Sequence, residues 1–376
     1  MYCKIVSNNR QNKELIARHD SLFSLMTIIQ KTIHIIDYDN NQVLPRETPE
    51  SFESFVADLI NHISSNDSVR EYKTRSDATE VIGSILTLCS ELDNAEIVSA
   101  KMDGISRRLL LKETEAQEQI ARTSTNVQKG SLVQALLLDD GGDSYIYLLA
   151  KVEHSEWVDD SDFSFKTGFS KDKKTLWKSC LIDLPDLEAA EFHAKIYSNT
   201  VAKYWSDGFL EFDEMNSDES NTTRAFKAIE ATLNQNFKGT PSPDHTVIRN
   251  HFIGYFKNTE HIDYPTMVNA VLENYQPVDP EFMTPERITK IRTKLLEQPQ
   301  KKNFDSQFTP VSSAINARIR KVYPITDGID LKVNRDINDL SGTIQSVEEL
   351  GVKYIRVRAT NDDTFRKFQT ATHFDQ

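Results

Sequence analysis

The amino-acid sequence predicts an α+β fold: N-terminal helices with a central antiparallel sheet, then a helical segment and a small C-terminal α+β unit. Apolar residues recur at helical spacing between Phe52 and Ile63, and again after Asp218. Two short apolar runs flank a glycine-containing turn in the middle of the chain. At 376 residues the chain is long enough for two domains, which we place at 1–214 and 215–376.

The first domain begins with a β-branched segment, Thr32–Asp37, that is typical of a strand. Thr48-Pro49 is typical of a helix start, because proline is favoured at the first helical position. The remaining elements expected in this domain are helices at Ala78–Leu92 and Ala95–Thr123 and strands at Asp162–Phe169, Leu176–Leu184 and Glu191–Tyr197.

The clearest local pattern is a β-hairpin. The apolar runs Leu132–Leu138 and Tyr145–Val152 are separated by an Asp- and Gly-rich turn that contains Gly141-Gly142. Because both runs are continuously apolar, we expect the hairpin to be buried on both faces, with Leu136 and Leu148 in the core.

The second domain follows a polar stretch, Met215–Thr222, that suggests a linker or long loop. Alternation over Ile329–Val333 predicts a strand with one buried face. The other expected elements are helices at Glu219–Asn234, Asp244–Lys257, Tyr264–Asn274, Pro285–Glu297 and Asp362–Phe368 and a strand at Val352–Arg358.

Composition narrows the function. The net charge of −13 argues against a protein that coats nucleic acid by bulk charge alone, since an acidic surface repels polyanions. Cys3, Cys89 and Cys180 are an odd number without a C-x-x-C pair, which indicates a reducing compartment and no structural zinc site. The chain shows neither a secretory signal nor an apolar run near the ~18–20 residues that span a bilayer, so we expect a cytoplasmic protein with no membrane partner.

The search for catalytic motifs gives one candidate, a magnesium-dependent nuclease formed by Asp143, Lys151 and Glu153. In this arrangement the lysine precedes the glutamate and all three residues lie in one hairpin, so solvated hairpin ends are the simpler interpretation. Phosphate-binding glycine loops are missing from the sequence, and His245 and His251 are six residues apart, unlike a zinc-binding pair. We therefore predict no catalytic residues, no metal and no cofactor.

Charge is unevenly distributed along the chain. Residues 285–335 contain eleven Lys/Arg and five Asp/Glu, a local charge of +6. Arg287, Lys290 and Lys294 are spaced to share one helix face, and Tyr354 alternates with arginines in the last strand. The candidate DNA-binding residues are Arg287, Lys290, Lys294, Lys301, Lys302, Arg318, Arg320, Lys321, Tyr354, Arg356 and Arg358. A solvated basic face is the alternative. For the second basic stretch, Lys166–Lys178, we favour a sheet edge that pairs its own charges.

Three parts of the sequence resemble the bacterial nucleoid-associated protein family (NdpA-like). They are the hairpin Leu132–Val152, the passage from Trp205-Ser206-Asp207-Gly208-Phe209-Leu210 into Asn221-Thr222-Thr223-Arg224-Ala225-Phe226, and the closing segments Asp327–Val333 and Val352–Val357. The resemblance covers most of residues 129–368. It implies association with the nucleoid, binding of double- and single-stranded DNA, and no catalytic residues to transfer. The acidic balance and the first third of the chain depart from that family.

Three hypotheses follow. The leading one is a non-enzymatic, nucleoid-associated protein that contacts DNA phosphates through a C-terminal basic surface, largely independent of sequence. The others are the nuclease and a protein-interaction module with an acidic surface. A protein partner for the acidic N-terminal two-thirds and a homodimer are both compatible with the leading hypothesis.

Overall fold

The structure, a computed structural model, describes residues 26–37, 39–48, 51–64, 68–120, 130–139, 141–142, 144–153, 155–158, 165–168, 176–199 and 203–369. Contacts divide the chain into two units. Unit 1 is Met1–Ser217 with Asp305–Gln307, and unit 2 is Asp218–Phe304 with Phe308–Gln376. Helices and a large antiparallel sheet together confirm the α+β class.

Unit 1 is built on an eight-stranded antiparallel sheet with the order β10-β3-β9-β8-β5-β4-β1-β2. Its strands are β1 (Met26–Asp37), β2 (Gln42–Pro45), β3 (Arg70–Thr74), β4 (Gly130–Asp139), β5 (Tyr145–Glu153), β8 (Leu176–Leu184), β9 (His193–Ser198) and β10 (Phe212–Glu214). A separate ribbon pairs β6 (Ser155–Val158) with β7 (Phe165–Gly168).

The predicted hairpin is confirmed as β4 and β5 at the centre of this sheet. Leu138 pairs with Tyr145, and the Asp139 amide donates to the Ser144 carbonyl at 3.0 Å. Gly142 closes the turn with a φ of 77°, a conformation that glycine adopts without steric cost. Leu136 and Leu148 are both fully buried, on opposite faces of the sheet, which explains why both strands read as continuous apolar runs.

Helices cover both faces of the sheet, so unit 1 has two apolar cores. Helix α1 (Ser51–Ser64) packs on one face through the apolar positions predicted from its periodicity. Helices α2 (Glu80–Ser90) and α3 (Ala95–Ile120) cover the other face with a short π-helical turn, Tyr204–Phe209. Cys89 and Cys180 lie in this second core as reduced thiols.

Unit 2 begins with a helical bundle around an aromatic core. Its helices are α4 (Asp218–Asn236), α5 (Pro243–Asn258), α6 (Tyr264–Leu272), α7 (Pro285–Leu296), α8 (Gln298–Lys302) and α9 (Ser312–Ile319), with the short strand β11 (Ile262–Asp263). Strand β12 (Gln307–Phe308) begins at the last residue of the segment Asp305–Gln307 that is assigned to unit 1. The four helices predicted between Glu219 and Glu297 are confirmed to within two residues at each end.

The linker predicted at Met215–Thr222 is wrong after Ser217, because α4 already begins at Asp218. Carboxylates in the first turn of a helix complement its positive end, so the acidic residues that suggested a loop favour a helix start instead. The polar side chain of Thr222 is fully buried and bonded. Its hydroxyl donates to the Asp218 carbonyl at 2.7 Å and accepts the Val311 amide at 3.0 Å.

The chain closes with two β-ribbons and two short helices. These are β13 (Lys321–Thr326) paired with β14 (Ile329–Val333), α10 (Leu340–Thr343), β15 (Ile344–Glu349) paired with β16 (Val352–Val357), and α11 (Asp362–Lys367). The alternation predicted for Ile329–Val333 is present in part. Leu331 and Val333 are half-buried and Asp330 and Lys332 are exposed, but Ile329 is 58% exposed in this two-stranded ribbon. In the described parts of the chain, every helix is too short or too polar to cross a membrane.

Candidate nucleic-acid interface

The basic stripe predicted on α7 is partly engaged inside unit 2. The Arg287 guanidinium lies 3.8 Å from the centre of the Phe282 ring and donates to the Asn236 carbonyl at 2.5 Å. The Lys294 amine donates to the Asn236 side-chain oxygen at 3.0 Å. Both cations therefore stabilise the carboxyl end of α4, where cations are favoured. Lys290 is the exposed member of the stripe, and no described residue pairs with it.

Lys301 and Lys302 also differ in whether a described residue pairs with them. Lys301 forms an ion pair with Glu297 one turn earlier, whereas Lys302 is exposed and has no partner among the described residues. Helix α8 ends immediately after Lys302 at Asn303, whose φ is 53°. Two adjacent lysines thus differ: Lys301 would have to leave Glu297 to contact a polyanion, whereas Lys302 would not have to leave a partner among the described residues.

The cations around the end of α9 surround a carboxylate of α4. The Glu230 carboxylate accepts from Arg318 at 3.2 Å and from Arg249 at 2.8 Å. Burial lowers the pKa of the Lys321 amine, Arg249 adds to this, and the amine lies 5.6 Å from the Tyr323 ring centre. Arg320 is exposed, and none of the described groups pairs with it.

The cations of α7 and the cations around the end of α9, which we call the α9 group, lie on different sides of α4. One group bonds Glu230 and the other bonds Asn236, six residues further along the helix. At about 100° per residue, those two positions are roughly 120° apart around the helix axis. The structure therefore places the α7 stripe and the α9 group around one helix and not side by side on one continuous face.

Arg356 is bonded within the β15–β16 ribbon, and Arg358, which follows β16, is bonded to α10 and its N-terminal cap. Arg356 forms an ion pair with Glu349, and Arg358 donates to Asp339 at 3.4 Å and to the Thr343 hydroxyl at 3.2 Å. Tyr354 is 46% exposed. The predicted alternation of Tyr354 and Arg356 against Ile355 is present, but Ile355 is itself 42% exposed, so both faces of the ribbon meet solvent.

Unit 1 contains a buried charged cluster that sequence reasoning missed. Lys151 of β5 and Lys178 of β8 are direct cross-strand neighbours, and both are at most 2% exposed. Glu113 of α3 forms an ion pair with Lys151 and is fully buried. The Lys178 amine donates to the Ser198 hydroxyl at 3.3 Å and lies 5.6 Å from the Tyr204 ring centre.

Desolvation dominates the titration of this charged cluster, because burial penalises the charged form of each group. It raises the pKa of Glu113 against the attraction of Lys151, and it lowers the pKa of Lys151. Burial first, and the neighbouring charge of Lys151 second, lower the pKa of Lys178 to about 8. The prediction of a sheet edge that pairs its own charges is therefore wrong for Lys178, which is buried in β8.

A second buried network lies beside it. Tyr147 donates to Gln134 at 2.9 Å, and Gln134 donates to the Ser106 hydroxyl at 2.9 Å. Ser106 in turn contacts His34 Nδ1 at 3.1 Å, and burial lowers the pKa of His34. The partners come from the sheet and α3, so the network fixes the position of the helix on the sheet.

The residues of the nuclease hypothesis do not form a described site. Lys151 lies in the core against Glu113, 38 residues away in the sequence. Asp143 and the side chain of Glu153 lie outside the described residues. Across the described parts of the chain, histidines, cysteines and carboxylates nowhere form a group of three suited to a metal ion.

No protein-family model matches this sequence, and no curated protein matches it with significant similarity. The nucleoid-associated resemblance therefore stays a prediction.

Proposed function

We propose that this chain is a non-enzymatic DNA-binding protein of the nucleoid-associated kind, and that unit 2 contacts phosphates with little dependence on base sequence. The observation that carries the proposal is the division of charge between the units. Unit 1 contains 23 basic and 37 acidic residues, a net charge of −14, whereas unit 2 contains 21 and 20, a net charge of +1. The acidity that argues against DNA binding belongs entirely to unit 1.

Three residues of the candidate set support the proposal best, Lys290, Lys302 and Arg320, which we call the free cations. Each is exposed and has no partner among the described residues. The exposed arginine Arg318 adds to this set, since an exposed ion pair contributes only ~0–1 kcal/mol and a phosphate can replace the carboxylate.

Binding through such contacts follows from counterion release. Each phosphate that a cation neutralises steepens the dependence of log K on log salt by about 0.9 on duplex DNA. Phosphate contacts carry no sequence information, so affinity is expected to vary little between duplexes of different sequence. The repulsion from unit 1 keeps affinity within the non-specific range, roughly 10⁻⁴–10⁻⁶ M near physiological salt.

The test compares two triple variants of the full chain in duplex-DNA titrations at several salt concentrations. One variant carries Lys290→Ala, Lys302→Ala and Arg320→Ala. The control carries Lys101→Ala, Arg107→Ala and Lys203→Ala in unit 1, and it changes the net charge by the same amount. We expect the first variant to lower the salt slope by about three and the control to leave it unchanged.

Two results would overturn the proposal. If the two triple variants weaken binding equally, the effect is one of total charge and the free cations form no interface. If the wild-type chain binds no duplex at low salt, DNA binding itself is wrong.

A further inference from the structure

Exposed apolar side chains are concentrated at the carboxyl end of the described chain. We call residues 321–369 the C-terminal module; it comprises β13 to β16, α10 and α11. Fourteen large hydrophobic residues of the described chain are exposed, and ten of them lie in this module. They include Phe365 at 59% and Phe368 at 81% exposure. Exposed apolar surface beyond scattered single residues is typical of an interaction site, which makes the module a candidate for one.

The tip of the β15–β16 hairpin is unusual in both conformation and chemistry. Its two turn residues are Leu350 and Gly351, with φ values of 51° and 79°. Two-residue turns with positive φ at both positions favour Asn-Gly, whereas a leucine there costs roughly 1–2 kcal/mol. The Leu350 side chain is completely exposed. A strained position that presents an apolar side chain to solvent indicates a contact made outside this chain.

Both faces of the ribbon combine apolar side chains with one charge of each sign. The first face carries Ile344, Ile355 and Val357, with Glu348 directly opposite Lys353. The second face carries Val347, Val352 and Tyr354, together with the ion pair between Glu349 and Arg356. The module as a whole has eight basic and eight acidic residues, so its net charge is zero.

We propose that this ribbon, with Leu350 at its tip, is the surface on which a second copy of the same chain docks. A neutral apolar surface does not attract a polyanion such as DNA, nor a partner of strongly one-sided charge. A two-fold contact brings the same patch from each copy together, so the patch must complement itself. A face with one acidic and one basic residue beside apolar side chains satisfies that requirement, because rotation places each charge near its opposite.

The exposed apolar area of the module contributes to the area that a stable dimer needs. An aromatic side chain buries ~150–250 Å² on packing, so the exposed fractions of Tyr354, Phe365 and Phe368 leave roughly 300–450 Å² of aromatic surface available. That is about half of the ~800 Å² per partner in a standard interface. The exposed valines, isoleucine and Leu350 supply further apolar area. An isolated two-stranded hairpin is only marginally stable in water, so docking also stabilises the ribbon.

The test measures the oligomeric state of the full chain by sedimentation at several protein concentrations, for the wild type and three single variants. Ile355→Lys places a charge in the proposed interface. Leu350→Asn removes the apolar tip and gives the turn its preferred Asn-Gly sequence. Val278→Lys is the control, because Val278 is 54% exposed but lies outside the module.

We expect a wild-type dimer that the control variant retains. A central contact is typically worth about 30-fold in affinity, and a substitution in a two-fold interface acts in both copies. Ile355→Lys should therefore raise the dimer dissociation constant by about 1,000-fold. Leu350→Asn should weaken the dimer while the circular dichroism of the chain is retained, which separates lost docking from lost folding.

A wild-type chain that is monomeric at every concentration would overturn the proposal. So would equal dimer dissociation constants for the Ile355→Lys, Leu350→Asn and Val278→Lys variants. The outcome is independent of DNA binding, because none of the free cations is in the module.

Discussion

The buried amine of Lys178 makes unit 1 less stable than its apolar packing would allow. Its pKa is lowered from 10.5 to about 8, so the folded state disfavours the protonated amine. At 1.36 kcal/mol per pKa unit, protonated Lys178 costs about 3 kcal/mol of stability at pH 7. Lys178→Met removes that cost and loses the hydrogen bond to Ser198, worth about 1 kcal/mol. We expect the variant to be more stable than the wild type by about 2 kcal/mol.

The pH dependence identifies the cause. Because the pKa of Lys178 is lower in the folded state, the unfolded chain binds more protons between pH 8 and ~10.4. Wild-type stability therefore rises with pH across that window, by at most ~1.4 kcal/mol per pH unit from this group. The full deficit is present below pH 8. The advantage of Lys178→Met should accordingly be largest at pH 7 and shrink towards pH 10, while titrating groups outside the cluster of Lys178, Lys151 and Glu113 affect both proteins alike.

Urea unfolding monitored by tryptophan fluorescence measures this effect in unit 1 alone. All three tryptophans, Trp157, Trp177 and Trp205, belong to unit 1. Lys203→Met is the matched control, because Lys203 is exposed and immediately precedes the π-helical turn. A Lys178→Met variant that is less stable than the wild type at pH 7, or whose advantage does not change with pH, would refute the reasoning.

Three further substitutions test the buried contacts of the two units. Leu136→Ala and Leu148→Ala should each destabilise unit 1 by about 2–5 kcal/mol in the same fluorescence assay, since both side chains are fully buried; a near-neutral value for either would contradict its burial. Asp244→Ala should destabilise unit 2 by more than ~3 kcal/mol, because the buried carboxylate accepts from the Tyr275 hydroxyl at 2.6 Å and the Val278 and Asp279 amides at 2.7 and 3.0 Å. Urea unfolding followed by circular dichroism measures that loss, and unchanged stability would show that water replaces the carboxylate.

Local patterns in the sequence were sufficient for most of the regular structure. The β4–β5 hairpin was predictable because each strand is apolar throughout and the turn residues lie between them. Strands β2, β3 and β10 were not predicted. They have five residues or fewer, and Arg70 and Glu214, which form an ion pair between two of them, are charged residues that favour loops.

The buried charged cluster was not predictable for a different reason. Glu113 lies in a helix rich in charged residues, where its neighbours in the sequence indicate a solvated face. Lys178 lies at the end of a lysine-rich stretch that suggests an exposed edge. Only the pairing of β5 with β8, and the crossing of α3 over both strands, brings these side chains together.

The candidate DNA-binding residues were affected by the same limitation, that local sequence does not reveal tertiary contacts. Helical spacing correctly placed Arg287, Lys290 and Lys294 on α7, but spacing does not reveal that Asn236 accepts from two of them. A cation that donates to the carboxyl end of a neighbouring helix contributes to the fold, and its removal would weaken DNA binding through lost stability. Substituting the whole stripe therefore cannot distinguish a phosphate contact from a packing contact. The combined substitution of Lys290, Lys302 and Arg320 by alanine can.

Charge and apolar surface are thus separated along one chain, and the separation determines which partner each part can accept. Unit 1 carries a charge of −14, which disfavours contact with a polyanion, so we assign the proposed phosphate contacts to unit 2. Within unit 2 the free cations precede residue 321, and the neutral apolar module follows them. A second copy docked on the module would leave Lys290, Lys302 and Arg320 outside the contact. A dimer would then carry two sets of the same phosphate contacts and no new kind of contact. This raises the avidity for duplex DNA when both copies can reach it at once.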